Sequence, residues 1–456
     1  MSFCVGRACF TSFTISHTYM DSLPLPIRWL LLGAIGACVG SAINWAIYHL
    51  AYVQTKASPW MKPPAGHVRR WTDRIPIIGW FFLRRESDQQ NLYPKRHWLR
   101  PFLIELGCAA GLVWLYQWHG DGGLYGGQNE TLIARQSNIA DSLHFGWFLF
   151  HATLFALLIV ATFIDFDEQT IPDSITIPGT LFALTVAALA PQTRLPVVSR
   201  DLLEIELTPL NYWTPDPVSQ WHIGIPALLV GISIVLVWCL TLLPKRQTLR
   251  YGLRQGIKIM IASVVRPARK TESRVPRVQT RRMFGLTKWY LFLLVPTSIL
   301  ICVTYFYSTQ HWTSLYDSLL GMAMGGGIVW AVRLIASGTL RVEAMGFGDV
   351  TLMCMIGAFL GWQPALLVFV FAPFTSRVFA VAQLLVHGEN RLAFGPYLCL
   401  ATVIIVVGWN RIWNQWAMLG SFSFGGTNLL LVVFACLILM AAMLGAWGIL
   451  KRRFLT

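Results

Sequence analysis

The chain is 456 residues long, 55% of them apolar and 12% charged, with a formal net charge of +15 and a positive mean hydropathy. That balance excludes a water-soluble globule and a disordered chain alike, and it describes a polytopic membrane protein. The basic residues gather in loops between apolar runs, the charge pattern of a membrane protein whose natural partner is anionic lipid and not nucleic acid. Nine Cys are scattered singly with no CxxC pair, so they read as small hydrophobes and supply no disulfide or metal framework.

Residues 1–28 form an N-terminal extension without the hydrophobic region of a signal peptide, and Met20 is an alternative start. Crossing a hydrocarbon core of ~30 Å takes about 20 apolar residues. Runs of that kind fall at 29–53, 101–118, 146–164, 174–190, 222–243, 288–307, 317–338, 349–363, 365–386, 394–409 and 427–450. The prediction is an all-α, polytopic transmembrane helical bundle of about eleven spans, with Gly361, Gln363 and Pro364 marking a tight turn between two short helices.

Loop charge sets an expected topology. Residues 54–100 carry ten Lys and Arg against Asp73, Glu86 and Asp88, and 244–287 are more basic still, whereas 119–145 and 191–221 hold more acids than bases. The positive-inside rule then puts the N-terminus outside and the basic loops and C-terminus in the cytoplasm. Within the second basic loop Arg250, Arg254 and Lys258 recur every four residues beside apolar neighbours, predicting a helix on the inner leaflet, followed by a disordered 266–286.

The stretch at 161–179, ATFIDFDEQTIPDSITIPG, puts Asp165, Asp167 and Asp173 within nine residues at the junction of two apolar runs. A later junction carries GFGDV with Asp349 at a matching helix end. Ionisable groups at membrane depth are costly, so two of them at matching ends make a functional site the default reading. The neighbours read more plainly. Asp173 fits a helix N-cap, Asp167 and Glu168 fit interfacial charges, Arg333 fits a snorkelling or paired cation, and His151 fits a packing residue.

On these residues the chain resembles the prepilin peptidases, bifunctional type IV leader peptidases of the membrane aspartic protease class. FIDFDEQTIPDSITIPG resembles that family's first aspartate motif, AMGFGDVTL its GxGD motif, and FGPYL at 394–398 the helix start that follows. GSAINWAIYHL at 40–50, RIPIIGWFFLR at 74–84 and RPFLIEL at 100–106 extend the likeness to the N-terminal third.

The resemblance implies an aspartic endopeptidase in which Asp165 and Asp349 share one proton, one activating water while the other protonates the peptide carbonyl. Gly346, Gly348, Pro172 and Asp173 are the expected supports. It also implies prepilin or pseudopilin substrates, a bacterial inner-membrane location, and N-methylation of the new amino terminus with S-adenosylmethionine. Members of the family commonly carry two CxxC pairs and zinc in the first cytoplasmic loop. Residues 54–100 hold no Cys, and His67 and His97 alone make no closed zinc site, so no metal is expected. A Lys commonly found two places after the GxGD aspartate is here Thr351.

The implied division is an extension at 1–28, a methyltransferase-like region at 29–118, the first Asp motif at 119–243, the basic loop at 244–287, and the GxGD motif with the C-terminal helices at 288–456. Two rival readings remain open at this point. One is a proton-coupled transporter using the same carboxylates as a relay, and the other is a catalytically inactive relative serving in pilus assembly.

Overall fold

A computed structural model describes residues 24–51, 70–80, 98–126, 140–200, 205–210, 223–242, 293–340, 345–386 and 394–415, together with a few single positions. The expected amphipathic helix at 250–260, the tail at 266–286, the eleventh span at 427–450, and His67 and His97 lie outside the described residues.

Ten helices account for the other ten expected spans. They are α1 (Leu25–Leu50), α2 (Leu99–Gly120), α3 (Ala140–Glu168), α4 (Asp173–Leu189), α5 (Ile225–Thr241), α6 (Leu293–Tyr307), α7 (Thr309–Leu340), α8 (Phe347–Leu360), α9 (Trp362–Val386) and α10 (Gly395–Val407). Four of the described helices, α1, α2, α3 and α7, are long and apolar enough to cross a membrane. One feature was not foreseen. Two strands, β1 (Pro196–Arg200) and β2 (Ile205–Pro209), pair antiparallel.

Small residues decide how closely the helices approach. In α1, Gly36 and Gly40 recur at an interval of four, and a Cβ on either would meet the α2 backbone at 2.6 Å, at Cys108 O and Glu105 Cα respectively. In lipid, where no hydrophobic effect drives helices together, such close contact is a principal source of association. Gly321 of α7 and Gly357 of α8 are likewise in mutual backbone contact, so neither admits a side chain.

At the centre sits α8, in which every residue from Asp349 to Leu360 is buried. A helix apolar on all sides is one enclosed on all sides, and α4, α7, α9 and α10 supply the enclosure. It stops at Gly361, whose φ of +93° is open to glycine but costly for other residues, and the chain turns directly into α9. The tight turn expected at Gly361 is therefore present.

Candidate active site

The helix bearing Asp165 runs one turn further than the apolar run suggested. α3 continues through Asp167 and Glu168 and ends at Gln169, which takes a positive φ of 53°. Asp165 therefore lies in the last turn of α3, where its side chain is only 4% exposed. After a three-residue link, Pro172 stands as the N-cap of α4 and Asp173 as its first residue, without a side-chain cap hydrogen bond. The expected Asp173 N-cap is thus displaced by one position. Proline before the helix already fixes the entry of the chain, and Asp173 acts on the helix dipole from within the first turn.

Asp349 is the third residue of α8, 6% exposed, and Gly346 is the N-cap. Its carboxylate reaches back to accept the Gly346 N–H. This is the reciprocal half of a capping box, so Asp349 starts its own helix as well as lining the site.

The two aspartates meet around Ile171. A Cβ on Gly348 would fall 2.9 Å from Ile171 Cβ, and a Cβ on Gly395 would fall 2.8 Å from Ile171 Cδ1 and 2.6 Å from Asp165 Oδ2. The Gly395 N–H, free of intrahelical partners because it opens α10, donates to Asp165 Oδ2 at 3.1 Å. Asp165 and Asp349 lie within electrostatic reach of one another. Cys399, one turn along α10 and hydrogen-bonded to Thr162 of α3, lies within reach of both. Each carboxylate is therefore held by a backbone N–H at a helix start, beside two glycines whose missing Cβ atoms let Ile171 and Asp165 pack against the helix starts.

Of the expected supports, Gly346 and Gly348 stand in this cluster, while Pro172 and Asp173 act one step removed, by placing Ile171. Thr351 turns its hydroxyl to the Gly348 carbonyl at 3.0 Å. Asp167 is not a bare interfacial charge: Arg100 of α2 donates to its Oδ1 at 2.7 Å and lies 4.7 Å from the Phe163 ring centroid. This joins the first helix pair to the last turn of α3.

Sequence reasoning passed over Gly395 and Ile171. The FGPYL string marked a helix start, but nothing in it says which carboxylate its N–H will meet. It also passed over two buried polar nodes away from the dyad. Glu105 of α2 is 1% exposed and accepts from Asn44 Nδ2 at 3.0 Å, Trp80 Nε1 at 2.9 Å and the Ile77 N–H, which seats the 75–80 segment on α1 and α2. At the far end of the bundle Arg194 and Asp317 form an ion pair at 3.4 Å, each side chain 2% exposed. His151 is indeed packed in the core, with its Nδ1 paired to His119 Nε2 at 2.9 Å, but its Nε2 has no hydrogen-bond partner. Among the described residues no group of three or more His, Cys, Asp or Glu could hold a metal ion.

Comparison with known proteins adds an independent finding. Residues 283–381, which include Arg333, Gly346, Gly348 and Asp349, match the type IV leader peptidase family. The chain is 29% identical over 105 residues to a protein of Aeromonas salmonicida named prepilin leader peptidase/N-methyltransferase, covering 22% of this chain and 36% of that one. It is 25% identical over 179 residues to a protein of the same name from Myxococcus xanthus, covering 38% and 44% of the two chains. A third relative so named, from Pseudomonas aeruginosa, is 28% identical over 113 residues, covering 24% and 39%. The chain spans little more than a third of the length of most of these curated relatives. No solved structure gives a significant match.

Proposed function

We propose, with the leader peptidase match at 283–381 as the premise, that the chain is a membrane aspartic endopeptidase that removes the leader of type IV prepilin-like proteins. The observation that carries the reading is the convergence of Asp165 and Asp349 around Ile171, each bonded to the N–H of a glycine. Two carboxylates that share a buried site disfavour ionising together, so on this reading the pair shares one proton and titrates as a unit. The ionised carboxylate takes a proton from water as the water oxygen attacks the scissile carbonyl carbon. The protonated one gives its proton to the carbonyl oxygen. Collapse of the tetrahedral intermediate breaks the C–N bond, returns that proton to the dyad and sends the other to the leaving amine.

Gly348 and Gly395 serve this scheme through packing. With no Cβ on either, Ile171 and the Asp165 carboxylate come up against the backbone of α8 and α10 and are held there. The charge of the loops supports a cytoplasmic position for the Asp165 end of the bundle, where the leader of a membrane-inserted prepilin would lie. Reporter fusions at residues 90 and 265 should then read cytoplasm and one at 130 the exterior, and an external signal at 265 would overturn that topology.

The decisive experiment is N-terminal sequencing of a prepilin co-expressed with the wild-type chain or its variants. Asp165→Asn and Asp349→Asn should each leave the leader attached while the enzyme accumulates normally, and full processing by Asp349→Asn would sink the assignment. N-methyl transfer is the second activity named in the relatives, and S-adenosylmethionine would be the methyl donor here. A chain that performs it leaves the mature amino terminus methylated, which mass spectrometry of the same prepilin reads directly.

A further inference from the structure

We infer that Arg333 is a positioning residue for Asp349, acting through the single peptide group between Met345 and Gly346. The inference rests on the aspartic peptidase reading above. Its basis is the antiparallel register of α7 and α8. Gly321 touches Gly357, and a Cβ on Gly325 would meet Met353 O at 2.6 Å, so the same register brings Arg333 level with Met345. Arg333 is half-buried there, its Nε donates to Met345 O at 2.9 Å, and its guanidinium carbon lies 5.7 Å from the centroid of the Phe347 ring.

The Met345 carbonyl and the Gly346 N–H belong to one planar peptide unit. Its oxygen end is held by Arg333 and its N–H end by the Asp349 carboxylate. The connection is therefore continuous: guanidinium N–H to carbonyl oxygen, through the conjugated amide, and from its N–H to the carboxylate. A charged donor on the carbonyl polarises the amide and strengthens the hydrogen bond its N–H makes. Because the peptide is rigid, fixing its oxygen also fixes the direction in which the N–H holds Asp349. The guanidinium charge itself lies within electrostatic reach of that carboxylate. Arginine suits the task because its planar fork gives one directed N–H to the carbonyl while its flat face lies near Phe347; the flexible ammonium of lysine does neither.

The test is a kinetic split measured on the full chain in lipid bilayers with a purified prepilin as substrate. Arg333→Met should lower kcat between about 10- and 100-fold, the scale of a small misplacement of a reacting group, and leave KM within about twofold. Arg333→Lys, which keeps the charge but not the directed N–H, should recover only part of the loss. A purely structural role would lower the amount of folded enzyme and leave kcat per folded molecule unchanged, and that result would overturn the inference. Wild-type kcat in Arg333→Met beside an inactive Asp349→Asn would overturn it equally. Cleavage by Asp349→Asn would instead bring down the reading of the site. If Arg333→Met fails to accumulate, Arg333→Gln is measured in the same way, and an undiminished kcat there counts against the proposal.

Discussion

The bundle holds buried aspartates at both ends, and the two ends treat them in opposite ways. At one end Arg194 and Asp317 face each other at 3.4 Å, and every neighbouring contact serves to lock helices together. Arg194 also donates to Ser314 O of α7 at 2.7 Å and to Phe359 O of α8 at 3.4 Å, while Asp317 accepts the Trp362 N–H at the start of α9. At the other end, Asp165 and Asp349 lie within electrostatic reach of one another, each held by the backbone N–H of a glycine. The first arrangement neutralises charge and joins four segments. The second brings two acids together with no ion pair between them, and the cation within reach of Asp349 is Arg333, held on the Met345 carbonyl. Burial of a carboxylate alone therefore does not mark a reactive site; what its oxygens face does.

Substitutions at the two ends should separate turnover from stability. The largest effect is expected at the like-charged end. Asp349→Asn should cost roughly 10³-fold or more in kcat, the upper range for loss of an acid–base group, with the thermal unfolding midpoint unchanged. Asp317→Ala should do the reverse, losing about 3–5 kcal/mol of stability by leaving Arg194 buried without its counter-ion, with normal kcat per folded molecule. The double variant Arg194→Met with Asp317→Leu should recover most of that loss in a denaturation assay, because a buried pair and a well-packed apolar substitute are close in free energy. If the double variant is as unstable as the single, the pair is doing more than neutralising itself.

Smaller effects sharpen the contrast. Gly361→Ala should cost about 1–3 kcal/mol of stability with little change in turnover, because that residue has a positive φ and its Cβ would meet Asp317 Oδ2 at 2.5 Å. Gly395→Ala, whose Cβ would press on Asp165 Oδ2, should show up in kcat first. Smallest are the exposed contacts. Asp167→Asn breaks the Arg100 pair, worth about 0.2–1 kcal/mol, and Asp173→Asn removes a favourable charge from the first turn of α4, worth about 0.3–1 kcal/mol. Both should process prepilin at near wild-type rates, and an inactive Asp167→Asn beside an active Asp165→Asn would move the dyad by two residues.

The sequence carried the spans and the two aspartates because both signals are local. A run of some 20 apolar residues declares itself, and so does an acid at its end. Partnerships across long separations were not legible. Gly395 meets Asp165 across 230 positions, and Arg194 meets Asp317 from a loop that read only as holding more acids than bases. Arg333 read as a snorkelling or paired cation, but nothing nearby in sequence said with what; the Met345 carbonyl is brought alongside it by the glycine contact between α7 and α8. Asp173 was misplaced by one residue because the proline before it took the cap position.

The Gly321 contact with Gly357 also measures depth. The register that joins them sets Asp349 beside Val329, and α7 runs on from there to Leu340, about 16 Å at the rise of an α-helix. The whole of α7, at 32 residues, is about 48 Å long and overhangs a hydrocarbon slab of ~30 Å by about 9 Å at each end when centred. Asp349 then lies on the order of 7 Å beneath the headgroup boundary. If the proposed peptidase reading holds, carboxylates at that level must be reached by water from one leaflet. The scissile bond of the proposed substrate would in turn have to sink below the surface, with its own helix already standing in the lipid.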